Sequence, residues 1–240
     1  MAQTEPRWVL LIIDDGSTDD TPRLLEEFHD PRICLLKTNH HGVSAARNFG
    51  ASHADSPYIA YLDSDNTWHP EFLAAMLQAI NRNPNGVLWY CGQHTVFWNR
   101  NKDGQWILER ECIDARGQYG LADIFELNGA DANCMVHTRA LLEEIGGWDE
   151  GCSFLEDWDL FARSKIRYQN QVFWVPEVLA EYRQVYGVDV DGLCAMTVQD
   201  PVRNQAQWKY LIDKWISHPG FADTAKRLTN QYLQTKKELD

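Results

Sequence analysis

Two periodicities alternate along this chain. Residues 8–13 (WVLLII), 33–36 and 58–62 (YIAYL) are unbroken apolar runs rich in branched and aromatic side chains, the pattern of strands hidden on both faces of a mostly parallel sheet. Between them, apolar residues recur at helical spacing. Leu24, Leu25 and Phe28 follow Thr21 as a cap and Pro22 in a first turn, and Phe72, Leu73, Met76, Leu77 and Ile80 follow Pro70 in the same way. Residues 43–53 form a third helical stretch rich in small residues, with Arg47 and Asn48 near its middle and Gly50 allowing close approach of another backbone. The unit strand, polar turn, helix therefore repeats, and it predicts an α/β fold with a mixed, mostly parallel sheet flanked by helices.

The rhythm changes near residue 83. An NPNG turn leads to a loosely alternating strand at 87–98, a turn at 99–104 and a further strand at 106–112, which together predict an antiparallel excursion. Residues 121–127 read as helical, 132–137 as a strand and 138–145 as a helix closed by Gly146 and Gly147 in left-handed conformation. FLEDWDLFARSKI is an amphipathic helix with Glu156, Asp157 and Asp159 at its start, an arrangement that also suits the helix dipole. Residues 171–175 read as the last strand and 176–182 as a closing segment. From 187 onward the chain is expected to be helical and solvent-facing, with Trp208, Leu211, Ile212 and Trp215 on one face and a charged tail, so that 1–186 forms one domain and 187–240 a C-terminal helical extension.

The polar residues that stop the apolar runs carry the chemistry. Asp63 and Asp65 stand at the carboxyl end of the 58–62 strand, where ligands bind in open α/β sheets. Two carboxylates so close repel each other, and a divalent cation resolves the conflict. Oxygen ligands without a His or Cys pair favour Mg²⁺ or Mn²⁺ shared with substrate phosphates. An aspartate-rich helix cap is the structural alternative. For Arg47 the alternatives are a structural ion pair, a phosphate contact, or the positioning of a ligand-binding Asp.

Composition narrows the partners. A formal net charge of −13 over 240 residues argues against a nucleic-acid backbone as ligand. Six Cys show no CxxC pairing, so no zinc site is expected, and with no signal peptide visible the reading is a cytoplasmic protein with reduced thiols. No run approaches the length of a bilayer-spanning helix, which leaves membrane contact either peripheral or outside this stretch. Ten Trp, nine Tyr and nine Phe mostly serve the core, with some available as platforms for sugar rings.

Four motifs occur in order: an apolar strand ending in DDGSTDDT, then GVSAARNFG, then YIAYLDSDN, then GGWDE followed closely by LEDWDL. In that order they resemble family 2 glycosyltransferases of the GT-A fold, from about residue 8 to 183. The resemblance implies transfer of a sugar from a nucleotide-diphosphate sugar to a carbohydrate, lipid-linked or protein acceptor, with inversion at the anomeric carbon. It implies that Asp15 contacts the base or ribose, that Arg47 lies near the nucleotide and Asp63 near the ribose, and that Asp65 ligates Mg²⁺ or Mn²⁺ on the diphosphate. It further implies Asp157 as the catalytic base, with Glu156 and Trp148 among the substrate-binding residues.

Two departures accompany the resemblance. The family's first strand and most of its first helix have no counterpart in the sequence, so an open sheet edge and an incomplete base site are expected. Val185 stands where many relatives carry a metal-assisting His. A non-catalytic sugar-nucleotide-binding or assembly module is therefore the alternative. A nucleotidyltransferase is a weaker one, since no glycine-rich basic phosphate loop is present.

Overall fold

The computed structural model describes residues 2–115, 117–120, 123, 128–152, 154–186 and 201–216, except the side chains of 186, 201–206, 208 and 216. Strand β1 (Leu10–Asp14) leads through a short helix α1 (Thr21–Leu25) to β2 (Ile33–Lys37), and the two strands pair in parallel. The acidic turn places Asp20, not Thr21, at the cap position of α1, which buries no side chain and leaves Phe28 beyond its end 48% exposed. Helix α2 (Val43–Ser52) then packs on β1, and Gly50 makes that approach possible. A Cβ there would lie 3.1 Å from the Ile13 side chain.

Strand β3 (Tyr58–Ala60) is shorter than the apolar run that encodes it, because residues 61–66 turn away into a loop and a two-residue strand, β4 (Thr67–Trp68). Helix α3 (Phe72–Arg82) follows. The antiparallel excursion is present as β5 (Leu88–Arg100) and β6 (Trp106–Asp114). The predicted strand at 132–137 opens instead as a 3-10 turn (Ala132–Cys134), because Asp131 accepts a bond from the Asn133 backbone N–H and bends the chain before β7 (Met135–Thr138) begins. Helix α4 (Arg139–Ile145) is capped by the Thr138 hydroxyl and ends on Gly146 and Gly147 at φ 84° and 79°. Helix α5 (Glu156–Arg167) leads to β8 (Val172–Tyr186), which is one strand where the sequence suggested a strand and a closing segment. Pro176 is tolerated because the pairing with β5 jumps from Val175 to Val178 at that point, so its missing N–H is not required. The helix predicted at 121–127, the tail beyond 216 and the Trp208 side chain lie outside the described residues.

The larger sheet has the order β3-β7-β5-β8-β4 with β6 on β5. Strands β3, β5 and β8 run one way and β7, β6 and β4 the other, giving a mixed sheet in an α/β fold. Among the described residues β1 has a strand partner on one side only, as does β3, so an open sheet edge lies at each. Consistent with that, Val9 and Leu10 are 63% and 37% exposed although the sequence marks them as an interior strand. Helix α6 (Pro201–Ile216) is not merely solvent-facing: Leu211 and Trp215 are buried in the main core cluster.

One core group carries a stability prediction. His137 is fully buried on β7; its Nδ1 contacts the Thr138 carbonyl, which can only accept, so Nδ1 holds the proton and Nε2 accepts from the Tyr61 hydroxyl 3.0 Å away. Burial pushes the imidazole down to about 4 from its ordinary 6.5. The unfolded chain therefore binds a proton first as pH falls, and stability present above 6.5 is lost progressively between 6.5 and 4, on the order of 3 kcal/mol. Urea unfolding at pH 7 and pH 5 is expected to show about 2 kcal/mol of this loss, and His137→Gln is expected to flatten the pH slope; an equal slope in that variant would refute the assignment.

Candidate active site

Three chain segments meet at the carboxyl end of β3. The first is the loop after β3, with Asp63 half-buried and Asp65 exposed. The second is α2, which carries Arg47 inward with a side chain only 9% exposed. The third is the first turn of α5, with Glu156 and Asp157, entered through Leu155 at φ 63°. Arg47 joins all three: one terminal nitrogen donates to Asp63 Oδ1 and the other to Glu156 Oε1, each at 2.8 Å. Burial works against the guanidinium charge, but the two carboxylates outweigh it and hold the group firmly protonated. Of the alternatives open from sequence, Arg47 is thus an ion-pair hub that positions an Asp.

The hub rests on aromatic packing. Its guanidinium lies 4.6 Å from the Trp148 ring centroid, and Tyr61 meets the same ring edge-on at 4.8 Å. Trp148 is 1% exposed, so it reaches the site through Arg47. Asn48, one residue along α2, holds the GGWDE segment in place, its Oδ1 accepting from the Trp148 N–H at 2.8 Å and its Nδ2 donating to the Trp148 carbonyl at 3.0 Å.

Asp157 lies beside Glu156 and accepts from Asn128 Nδ2 at 3.1 Å. Burial first, and then the charges of Glu156 and Asp131, push its carboxyl well above the ordinary range. Asp131 is pushed up to about 6, chiefly by burial and then by Asp63. Each keeps some contact with solvent although densely surrounded, as expected of groups lining a cleft. Asp131, Asn133 and Asn128 were not found from the sequence. The signal available was the triplet Asp131-Ala132-Asn133 ahead of an apolar strand, which repeats in form the Asp63-Ser64-Asp65 triplet.

Asp15 is placed differently. Its Oδ1 accepts from the Thr38 hydroxyl and from the His41 N–H, and its Oδ2 from the Gly42 N–H at 2.8 Å. These bonds outweigh burial, hold the carboxyl below the usual range, and make Asp15 the clasp of the loop entering α2.

For a cation, Asp65 is the available donor. Asp63 is committed to Arg47 and Asn133, whereas Asp65 is exposed and pushed up by partial burial and by the Asp63 charge. One carboxylate beside a like charge, open to solvent and to a ligand's own oxygens, fits a Mg²⁺ or Mn²⁺ site shared with phosphates. A second acidic group, Asp149, Cys152 and Asp159, has its ligand atoms within 4.8 Å of one another, but Lys214 pairs with both carboxylates and Arg163 with Asp159, so cationic side chains already neutralise it. Val185 lies on β8 opposite Trp98 and offers no metal ligand.

The mixed α/β fold, with an acidic strand end joined to an acidic helix start through Arg47, is of the GT-A class. The chain belongs to Glycosyl transferase family 2, whose family model matches residues 1–145. It is 28% identical over 196 residues to the uncharacterized protein y4gI of Sinorhizobium fredii, covering 78% of this chain and 20% of that one. It is 33% identical over 109 residues to the UDP-Glc:alpha-D-GlcNAc-diphosphoundecaprenol beta-1,3-glucosyltransferase WfgD of Escherichia coli, covering 45% of this chain and 42% of that enzyme. In fold it resembles the crystal structure of S. aureus TarS 1–349 in complex with UDP-GlcNAc, at TM-score 0.72 and 14% identity, over 97% of this chain and 65% of that one. The chain thus spans less than two thirds of each of these proteins. Among the described residues no helix is long and apolar enough to cross a membrane.

Proposed function

We propose that this domain catalyses inverting, metal-dependent transfer of a sugar from a nucleotide-diphosphate sugar to an acceptor hydroxyl. The observation that carries the reading is the Arg47 hub, which ties the Asp63 strand end to the Glu156–Asp157 helix start at 2.8 Å on either side. Carboxylates near a diphosphate and a carboxylate near an incoming alcohol must share one cleft for this chemistry, and the hub fixes their separation.

Asp63 and Arg47 bind and orient the nucleotide end, and Asp65 is the group that would hold Mg²⁺ or Mn²⁺. When bound, the cation supplies neutralisation of charge on the departing diphosphate. Asp157 takes the proton of the acceptor hydroxyl as the acceptor oxygen bonds to the anomeric carbon. The carbon–oxygen bond to the diphosphate breaks on the opposite face, its electron pair leaving with the phosphate, and the anomeric centre inverts. Asn128 and the Trp158 N–H orient the base.

The donor is proposed to be a UDP-sugar and the acceptor a lipid-linked glycan. The names of WfgD and of TarS in complex with UDP-GlcNAc support that choice. Incubation with a panel of UDP-, GDP- and dTDP-sugars plus Mn²⁺, read by release of nucleoside diphosphate, is expected to give turnover with a UDP-sugar that a glycan acceptor accelerates. Absence of binding and of turnover across the panel would overturn the reading.

A further inference from the structure

The Asp131–Asn133 turn is used by no step of the proposed chemistry, yet it holds Asp63 by both its main chain and its side chain. Asn133 is fully buried. Its Oδ1 accepts from the Asp63 backbone N–H at 2.7 Å and its Nδ2 donates to Asp63 Oδ2 at 3.2 Å, so one amide grips both the main chain and the side chain of Asp63. Asn133 is itself held. Its N–H donates to Asp131 Oδ1 at 2.8 Å, its Nδ2 donates to the same oxygen, and its carbonyl accepts from Trp68 Nε1 at 2.7 Å. The Asp63 carboxylate is consequently fixed from two sides, Arg47 on Oδ1 and Asn133 on Oδ2.

We propose that Asn133 is a positioning residue for the nucleotide-binding end of the site, and that Asp131 works through it by setting the orientation of its amide. The proposal rests on the reading of the domain as a nucleotide-sugar transferase. The amide fits this task where a carboxylate or hydroxyl would not, because it offers an acceptor to a backbone N–H and one N–H donor to each of two carboxylates. A polar group with every bond satisfied in a dry site has one orientation, and its partner inherits that precision. Asp131 acts on the amide through its Oδ1, which accepts both bonds. Its carboxylate oxygen is spent on Asn133, and removing it frees the amide to turn.

The test uses Asn133→Ala, Asp131→Ala, Asp131→Asn and the double alanine variant, with titration of UDP in the presence of Mn²⁺, donor KM and kcat, and thermal unfolding. Asn133→Ala and Asp131→Ala are each expected to weaken UDP binding and raise donor KM by about tenfold or more, with kcat at saturation changed by less than about threefold. The double variant is expected to be no worse than Asn133→Ala, since both act through one amide. Asp131→Asn is expected to stay near wild type because an amide oxygen still accepts both bonds. Unchanged UDP affinity in a folded Asn133→Ala would overturn the proposal, as would Asp131→Asn proving as damaging as Asp131→Ala, which would mean that the charge of Asp131 acts directly. If Asn133→Ala fails to fold, the half-buried Asp131 pair decides. If the wild-type protein binds no nucleotide, the functional reading fails separately. The crystal structure of the variant then tests the inference: Asp63 turned away from Arg47 supports it, and Asp63 in its original place overturns it.

Discussion

Asp157→Asn is expected to lower transfer by about 10²- to 10⁴-fold while leaving nucleotide affinity within about threefold. The change is nearly isosteric: the remaining oxygen still accepts from the Trp158 N–H, and a flip of the Asn128 amide lets its unpartnered Oδ1 accept from the new NH2, so the fold around α5 has no reason to move. What disappears is the capacity to take a proton. The environment of Asp157 makes the test sharper, because burial and the neighbouring charges of Glu156 and Asp131 raise its carboxyl well above the ordinary range. A base must be ionised, so activity is expected to fall as pH drops through that raised value, at a pH where an exposed carboxylate would still be charged. Rates from nucleotide release, set beside calorimetric nucleotide binding for both proteins, check the pair of expectations. Near-normal turnover by Asp157→Asn would remove this residue from the mechanism.

The second large effect concerns the cation. Removing Mg²⁺ or Mn²⁺ with chelator, or replacing Asp65 by Ala, is expected to reduce nucleotide-diphosphate affinity and activity by about a hundredfold or more. The physical reason is the imbalance between the two aspartates. Asp63 has Arg47 and Asn133, whereas Asp65 is raised by partial burial and by the Asp63 charge, which outweigh a backbone hydrogen bond and the Arg183 charge. Bringing a diphosphate to this corner without a cation adds negative charge to negative charge. Titration of UDP into wild type and Asp65→Ala, each with and without Mn²⁺, separates the contributions: the variant is expected to gain little from the metal. Equal enhancement by Mn²⁺ in both proteins would contradict Asp65 as its ligand.

The parts of this arrangement that sequence made legible are those with a local signature. The strand ends, the small-residue helix bearing Arg47, the paired glycines and the acid-headed helix α5 each announce themselves through a period or a cap. Their convergence was legible only as the order of four motifs. What stayed hidden depends on contacts between distant segments. Asp131 reads as the polar residue before a strand, and only the fold reveals that the turn it starts delivers Asn133 to the Asp63 backbone, 70 positions earlier. Pro176 suggested a break in β8, because the outward jump from Val175 to Val178 that accommodates it is visible only once β8 is paired with consecutive residues of β5. Asp15 shows the converse: an acidic strand end looks the same in sequence whether it faces a ligand or clasps the loop beside it. Likewise α6 carried an apolar face in its sequence, but its burial against the core follows from tertiary packing.

On the proposed reading, acidic groups from separate segments converge on one nucleotide-diphosphate site with a cation on Asp65. Anomalous diffraction from a crystal grown with UDP and Mn²⁺ tests it most directly. The account requires a single strong manganese peak roughly 2.2 Å from an Asp65 carboxylate oxygen and bridging to the diphosphate, with the cleft running on toward Asp157. A peak instead at Asp149 and Asp159, or UDP bound on a face of the domain remote from Asp63, would contradict it.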